Sequence, residues 1–179
     1  MNRKSIKFYN LIFPIWFLIL IPITWIFILP ANFFIDLIVV ALTMKFMKIK
    51  DIKKKVKHVI TKIWIVGFIS DFIGAGAMYL ATIISFNNNS NLHEWWQNNI
   101  EYAVNYNPFE SIYSMVWVTA CVMIAAICIY IINYKLCLKK LDINSAQKKK
   151  IALSLAVFTA PYLFYIPTAL FFGSVKYNC

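Results

Sequence analysis

Apolar residues fall into five long runs along the chain, separated by polar and mostly lysine-rich stretches. The runs cover residues 9–29, 31–47, 63–86, 111–134 and 151–172. Each approaches or exceeds the about 20 residues a helix needs to cross hydrocarbon. The pattern predicts an all-α fold, a polytopic membrane bundle of about five transmembrane helices in one domain spanning 1–179. The second run is the shortest, and Lys45 and Lys48 would snorkel from it to the interface. Pro30-Ala31-Asn32 reads as a tight turn between the first two runs, with Asn32 an N-cap for the second. A re-entrant hairpin over 9–47 is the alternative. Two spans are preferred because lipid-exposed irregular backbone is costly. Pro14 and Pro22 predict kinks in the first run, and Pro161 and Pro167 in the last. These two proline-bearing runs do not match each other, so no internal repeat is read.

The third run has two unlike faces. Gly67, Asp71, Gly74, Met78 and Ala81 share one at spacings of three and four, with Ser70 and Ala77 beside them. Ile65, Phe68, Phe72, Tyr79 and Ile83 share the other, and Gly76 fits neither scheme. Small residues let helices approach closely in lipid, so Gly67, Gly74, Ala77 and Ala81 are the expected packing face. The fourth run aligns Ser114, Cys121, Ala125 and Cys128 as its mate.

Between these runs, Asn91-Leu92-His93-Glu94 has the form of a capping box. Leu92, Trp95, Trp96, Ile100 and Ala103 then recur at helical spacing, and Asn107-Pro108 ends the element. Two placements suit this amphipathic helix: flat on the outer leaflet with tryptophans at headgroup level, or packed as a lid over the bundle.

Composition and charge fix the class and the orientation. The chain is 61% hydrophobic and 14% charged, unlike a soluble domain, and has no room for a second one. The net charge of +11 could suggest nucleic acid, but all but one of the 18 Lys and Arg residues sit in three clusters before or between apolar runs. Lys45 to Lys62 holds eight lysines, whereas 87–110 holds none and has Glu94, Glu101 and Glu110. The positive-inside rule then puts the N-terminus in the cytoplasm and the C-terminus outside, with anionic lipid as the counter-charge and no nucleic-acid partner. The first run is too long for a signal peptide and lacks a cleavage site, so it is read as a retained span. The abundance of Ile, Lys and Asn suits a bacterial cell membrane.

Most candidate chemistry dissolves on inspection. His93-Glu94-Trp95-Trp96-Gln97 has Gln where a zincin needs its second His, and His58 lies beyond the membrane from it, so no metal site or cofactor is expected. Cys121 and Cys128 on one helix make neither a disulfide nor a metal site. Asn88-Asn89-Ser90 is a glycosylation sequon only in a eukaryotic secretory host.

Asp36 and Asp71 are different. Counted from the lysine-bearing ends of their helices they lie about 15 and 12 Å deep, so they could face each other, with no Lys, Arg or His at that depth. An intramembrane carboxyl is a functional-site hypothesis by default. Asn32, Ser70 and Thr43 are the polar residues grouped with them as a possible ion or proton site. Hydrogen-bonded packing glue is the alternative use, and the order around Asp71 lacks the Gly-x-Gly-Asp pattern of aspartyl intramembrane proteases. The leading functional expectation is a non-enzymatic membrane subunit or accessory protein acting through helix contacts, with a membrane-protein partner or a second copy. The alternative is a small proton- or cation-coupled transporter or channel using Asp36 and Asp71.

Overall fold

The computed structural model describes residues 14–86 and 90–172, whose regular elements are all helical, with no strand among them. Helices α1 (Trp25–Phe46), α2 (Ile52–Ile83) and α5 (Ile112–Ile132) are the long elements. α3 (Asn91–Trp96), α4 (Tyr102–Tyr106), α6 (Ser145–Phe158) and α7 (Ala169–Phe172) are shorter. Three segments are long and apolar enough to cross a membrane: Pro22–Phe46, Ile52–Ile83 and Ile112–Cys137. They correspond to the second, third and fourth of the five expected spans. The start of the first run, the sequon's Asn88 and Asn89, and the tail from 173 lie outside the described residues.

The turn expected at Pro30-Ala31-Asn32 does not form. α1 runs through Pro30 without interruption. A proline this near a helix start forfeits one backbone bond, which a long apolar helix tolerates. The break comes earlier, at Pro22, because the residue before a proline prefers extended backbone and Ile21 has φ −93 and ψ 116. Residues before it form 3-10 turns, Ile15–Leu20 and Pro22–Thr24, in place of a first spanning helix. The Trp25 indole ties this lead-in to α1 by donating to the Ile19 carbonyl at 2.8 Å.

α1 ends in a left-handed Lys48 (φ 53), with the Ile49 amide returning to the Met44 carbonyl at 3.1 Å. α2 then runs back along α1, and 32 residues make it about 48 Å long. α5 packs on the other side of α2, and α6 closes the bundle against α1 and α5. At the lysine-bearing end the core is mostly apolar: Val40, Met44, Val59, Ile63, Ile129, Leu138, Ile151 and Leu155 are all at most 1% exposed, and the one polar side chain buried with them, Asn133, donates to its own helix at Ile129.

The other end is built differently. Ser90, one residue before the expected capping box, is the N-cap of α3, its hydroxyl accepting from the His93 amide. Residues 91–106 then lie against the bundle: Trp96 donates to the Ala81 carbonyl at 3.0 Å, and Ile100, Ala103 and Val104 are buried. The lid arrangement is therefore the one adopted.

The last run departs most from expectation. α6 starts at Ser145 on a full capping box from Asn144 and Gln147, and stops at Phe158. Pro161 and Pro167 bracket a 3-10 turn, Tyr162–Tyr165, and only four residues of helix follow in α7. Two prolines six apart remove too many helix bonds for a kink, so the chain breaks where a kinked span was expected.

Candidate functional site

α6 breaks beside the two aspartates. Because α1 and α2 are antiparallel, Asn32 meets Asp71 and, one turn along, Asp36 meets Gly67. The Asn32 amide donates to Asp71 Oδ2 at 3.2 Å. A Cβ on Gly67 would stand 3.3 Å from Asp36 Oδ2, so the glycine is what admits the carboxylate to this level. The two acids thus sit one turn apart along the helix pair, close enough to act on each other electrostatically. Asp36 is 3% exposed and Asp71 5%.

The third side comes from beyond α6. Thr159, the residue at which the helix stops, lines the same cavity as Asp36, near enough for its hydroxyl to act on the carboxyl. The same hydroxyl donates to the Leu155 carbonyl at 2.9 Å, a carbonyl that also receives the Thr159 amide. A hydroxyl has one proton. With that proton on Leu155, any bond to Asp36 must use a proton carried by the carboxyl. With it turned to Asp36, Leu155 still keeps the amide. The helix end can serve Asp36 in either charge state.

Together these elements enclose a cavity of about 300 Å³ lined by Asn32, Asp36, Gly67 and Asp71 on one side and by Phe158–Leu163 and Ile166 on the other. Ile19 of the 3-10 lead-in also borders it. Among the described residues no Lys, Arg or His lines it. Asp71 Oδ1 is buried without a hydrogen-bond partner. Leaving such oxygens as bare anions would cost several kcal/mol each, which a proton or a bound cation would offset.

Other residues singled out from the sequence lie elsewhere. Ser70 is buried but donates to its own helix at Val66, 2.8 Å away, and Thr43 sits nearer the lysine-bearing end; neither lines the cavity. Asn32 is not an N-cap but a mid-helix partner of Asp71. The small face of α2 meets a different neighbour at each level. Gly67 receives Asp36, while a Cβ on Gly74 would touch Ala125 and the Phe164 ring at 3.1 Å each. Ala77 is half-buried and Ala81 buried beneath Trp96. Gly76 faces open space. His93 lies in the lid, and among the described residues no three His, Cys, Asp or Glu side chains converge.

Thr159 and the Pro161 break were not singled out as site residues. Their signal was a hydroxyl just ahead of two prolines in an otherwise spanning run. Interrupted spans of that kind often carry the binding site in membrane transporters.

Compared with family models, curated proteins and solved structures, the chain matches none.

Proposed function

We propose that the chain is a small multi-pass membrane protein that binds and passes protons or small cations through the Asp36–Asp71 cavity. One observation carries this: two buried carboxyl groups, with no basic partner among the described residues, open into one cavity at the point where a packed helix is interrupted. In hydrocarbon, non-helical backbone is tolerated only when buried in protein or lining a cavity, and intramembrane acids mark ion paths. Thr159 supplies the coupling, because its hydroxyl can turn between Asp36 and Leu155 as the carboxyl loses and regains a proton. The lysine-rich ends face the cytoplasm and the 91–106 lid faces outside. Lys54, Lys55, Lys57 and Lys140 around one cleft at the lysine end suit anionic headgroups. An N-terminus inside and a C-terminus outside require that the lead-in and the broken 145–172 segment each complete a crossing, five in all. Single cysteines at the exposed Asn91 and Ser145 test the sides: an impermeant thiol reagent applied outside should label the first and not the second.

The deciding experiment is flux. Full-length protein in liposomes carrying a pH-sensitive dye should dissipate a pH step, or couple it to a sodium or potassium gradient. Asp71→Asn should keep its helical spectrum and lose that flux. Flux no greater than in protein-free liposomes, or flux unchanged in both Asp71→Asn and Asp36→Asn, rejects the reading.

A second reading, a subunit acting through helix contacts, is favoured by the exposed apolar face of α1, where Ile26, Phe27, Phe34, Ile38, Leu42 and Phe46 are all at least 55% exposed. Lipid alone can cover such a face. That reading requires a stable partner or dimer after extraction in mild detergent.

A further inference from the structure

The cavity is larger than a proton or a bare cation needs. At about 300 Å³ it reaches the lower end of the range that encloses small organic molecules. Its walls are of two kinds. Asn32, Asp36 and Asp71 supply the polar one, while Ile19, Ile28, Ile35, Phe158, Leu163 and Ile166 surround them with hydrocarbon. Asp71 is 95% buried, since it is 5% exposed, and its Oδ1 lacks a partner although Oδ2 accepts from Asn32. A metal ion would need about six oxygens closing on one point at roughly 2.0–2.6 Å. The acids here are spread over neighbouring turns of two helices and face an apolar wall. An ion of that kind would use one side of the space and leave the rest unfilled.

We propose, resting on the reading of this site as a cation path, that the cavity takes a small lipophilic ammonium ion, its nitrogen between Asp36 and Asp71 and its apolar body against Ile19, Phe158, Leu163 and Ile166. The Phe158 and Tyr162 rings add an aromatic face of the kind that attracts alkylammonium groups. Charge balance makes the substrate and the proton competitors. One monovalent cation plus one proton neutralises two carboxylates, and two protons do the same without it. Among the described residues Tyr162 is the only other titratable group lining the cavity, and its hydroxyl donates to the Val157 carbonyl. Binding therefore weakens as pH falls and both acids take up protons. Each bound cation would displace one proton from the pair into the solution it came from.

Calorimetric titration of the full-length protein in lipid nanodiscs tests this with benzyltrimethylammonium and its uncharged isostere, neopentylbenzene. The cation should bind saturably and the isostere should only partition into lipid. Asp71→Asn should weaken the cation roughly thirtyfold or more, as expected when one member of a buried charge pair is removed. Leu163→Trp, which keeps both acids and fills the cavity, should weaken it too and decides the matter if Asp71→Asn does not fold. Absence of saturable cation binding, or binding equal in wild type and both variants, overturns the proposal. Proton flux measured on the same preparation separates the two levels. Aspartate-dependent flux without ammonium binding overturns this inference alone. Aspartate-dependent binding without flux supports the ammonium site and rejects the carrier.

Discussion

The two ends of the bundle are built from the same helices but on different terms. At the lysine-bearing end α1, α2, α5 and α6 are unbroken, and their shared interior holds aliphatic side chains, Met44 and Cys137, with Asn133 as the one buried polar group. Past the level of Asp36 the regular pattern stops. α6 ends, the lead-in to α1 is wound as 3-10 turns, and a Gly74–Ala125–Phe164 contact replaces aliphatic interdigitation. Here too lie the buried acids, the cavity and the indole N–H groups of Trp16 and Trp117, buried without hydrogen-bond partners. The close-packed end can hold the helices in place. The interrupted end can then keep polar groups and irregular backbone that no isolated element would tolerate. Stability is concentrated in one region and chemistry in the other.

The sharpest way to break this contrast is to weaken the packed end. Leu155 is fully buried one turn before the end of α6. Leu155→Ala should destabilise by about 2–4 kcal/mol through lost packing, since lipid offers apolar chains as good a home as the core does. Flux per folded molecule should be unchanged, as measured after correcting for the folded fraction. A variant that folds normally but transports poorly would mean that the two regions are not separable.

Next comes the contact that joins α2, α5 and the interrupted segment. Gly74→Leu must displace Ala125 and Phe164, both already at 3.1 Å from a single added carbon, and should cost about 1–3 kcal/mol. Tyr79→Leu, at a half-exposed position on the opposite face, should change the melting temperature far less. Equal melting temperatures would show that the small face of α2 is not a packing surface.

Thr159→Val inverts the first experiment. It keeps the shape, removes the hydroxyl, and should alter stability by about 1 kcal/mol or less, because Leu155 retains the Thr159 amide. Flux should fall sharply, since Asp36 loses the group that follows its charge. Normal flux would remove Thr159 from the mechanism while leaving the acids in it.

How far each region could be read in advance follows from the same division. The face of α2, the lysine clusters and the unusual pair Asp36 and Asp71 were legible, because each is a periodicity or an isolated charge in an apolar run. Prolines were legible as positions but not as outcomes. Pro30 has too little helix before it to matter, Pro22 converts the preceding run to 3-10 turns, and Pro161 with Pro167 breaks a span outright. Which of these happens depends on what neighbouring elements satisfy, and that is tertiary information. Thr159 was missed for the same reason: its value lies in what the break brings opposite Asp36. The capping box at Asn144 and Gln147 was missed although both side chains are local, and the cap of α3 was placed one residue late because Asn91 and Ser90 are both good caps.

The smallest expected effect concerns the lid, where the interrupted end meets solvent. Burial holds the Glu101 carboxyl above its ordinary 4.5, and the charge of His93 on the same segment works against that shift. A raised folded value means that the folded lid prefers the protonated acid. Its contribution to stability is therefore full below 4.5 and is lost as pH rises through the folded value. Glu101 keeps much of its surface in water, so the change is modest and screened by salt. Opening of the lid can be followed by the fluorescence of Trp96, which is held on the Ala81 carbonyl and packed edge-on against Trp117. In wild type, lid opening in denaturant should become somewhat easier from acid towards neutral pH. Glu101→Gln has no proton to lose and should flatten that part of the slope. If the slope is the same in both proteins, the lid does not feel Glu101.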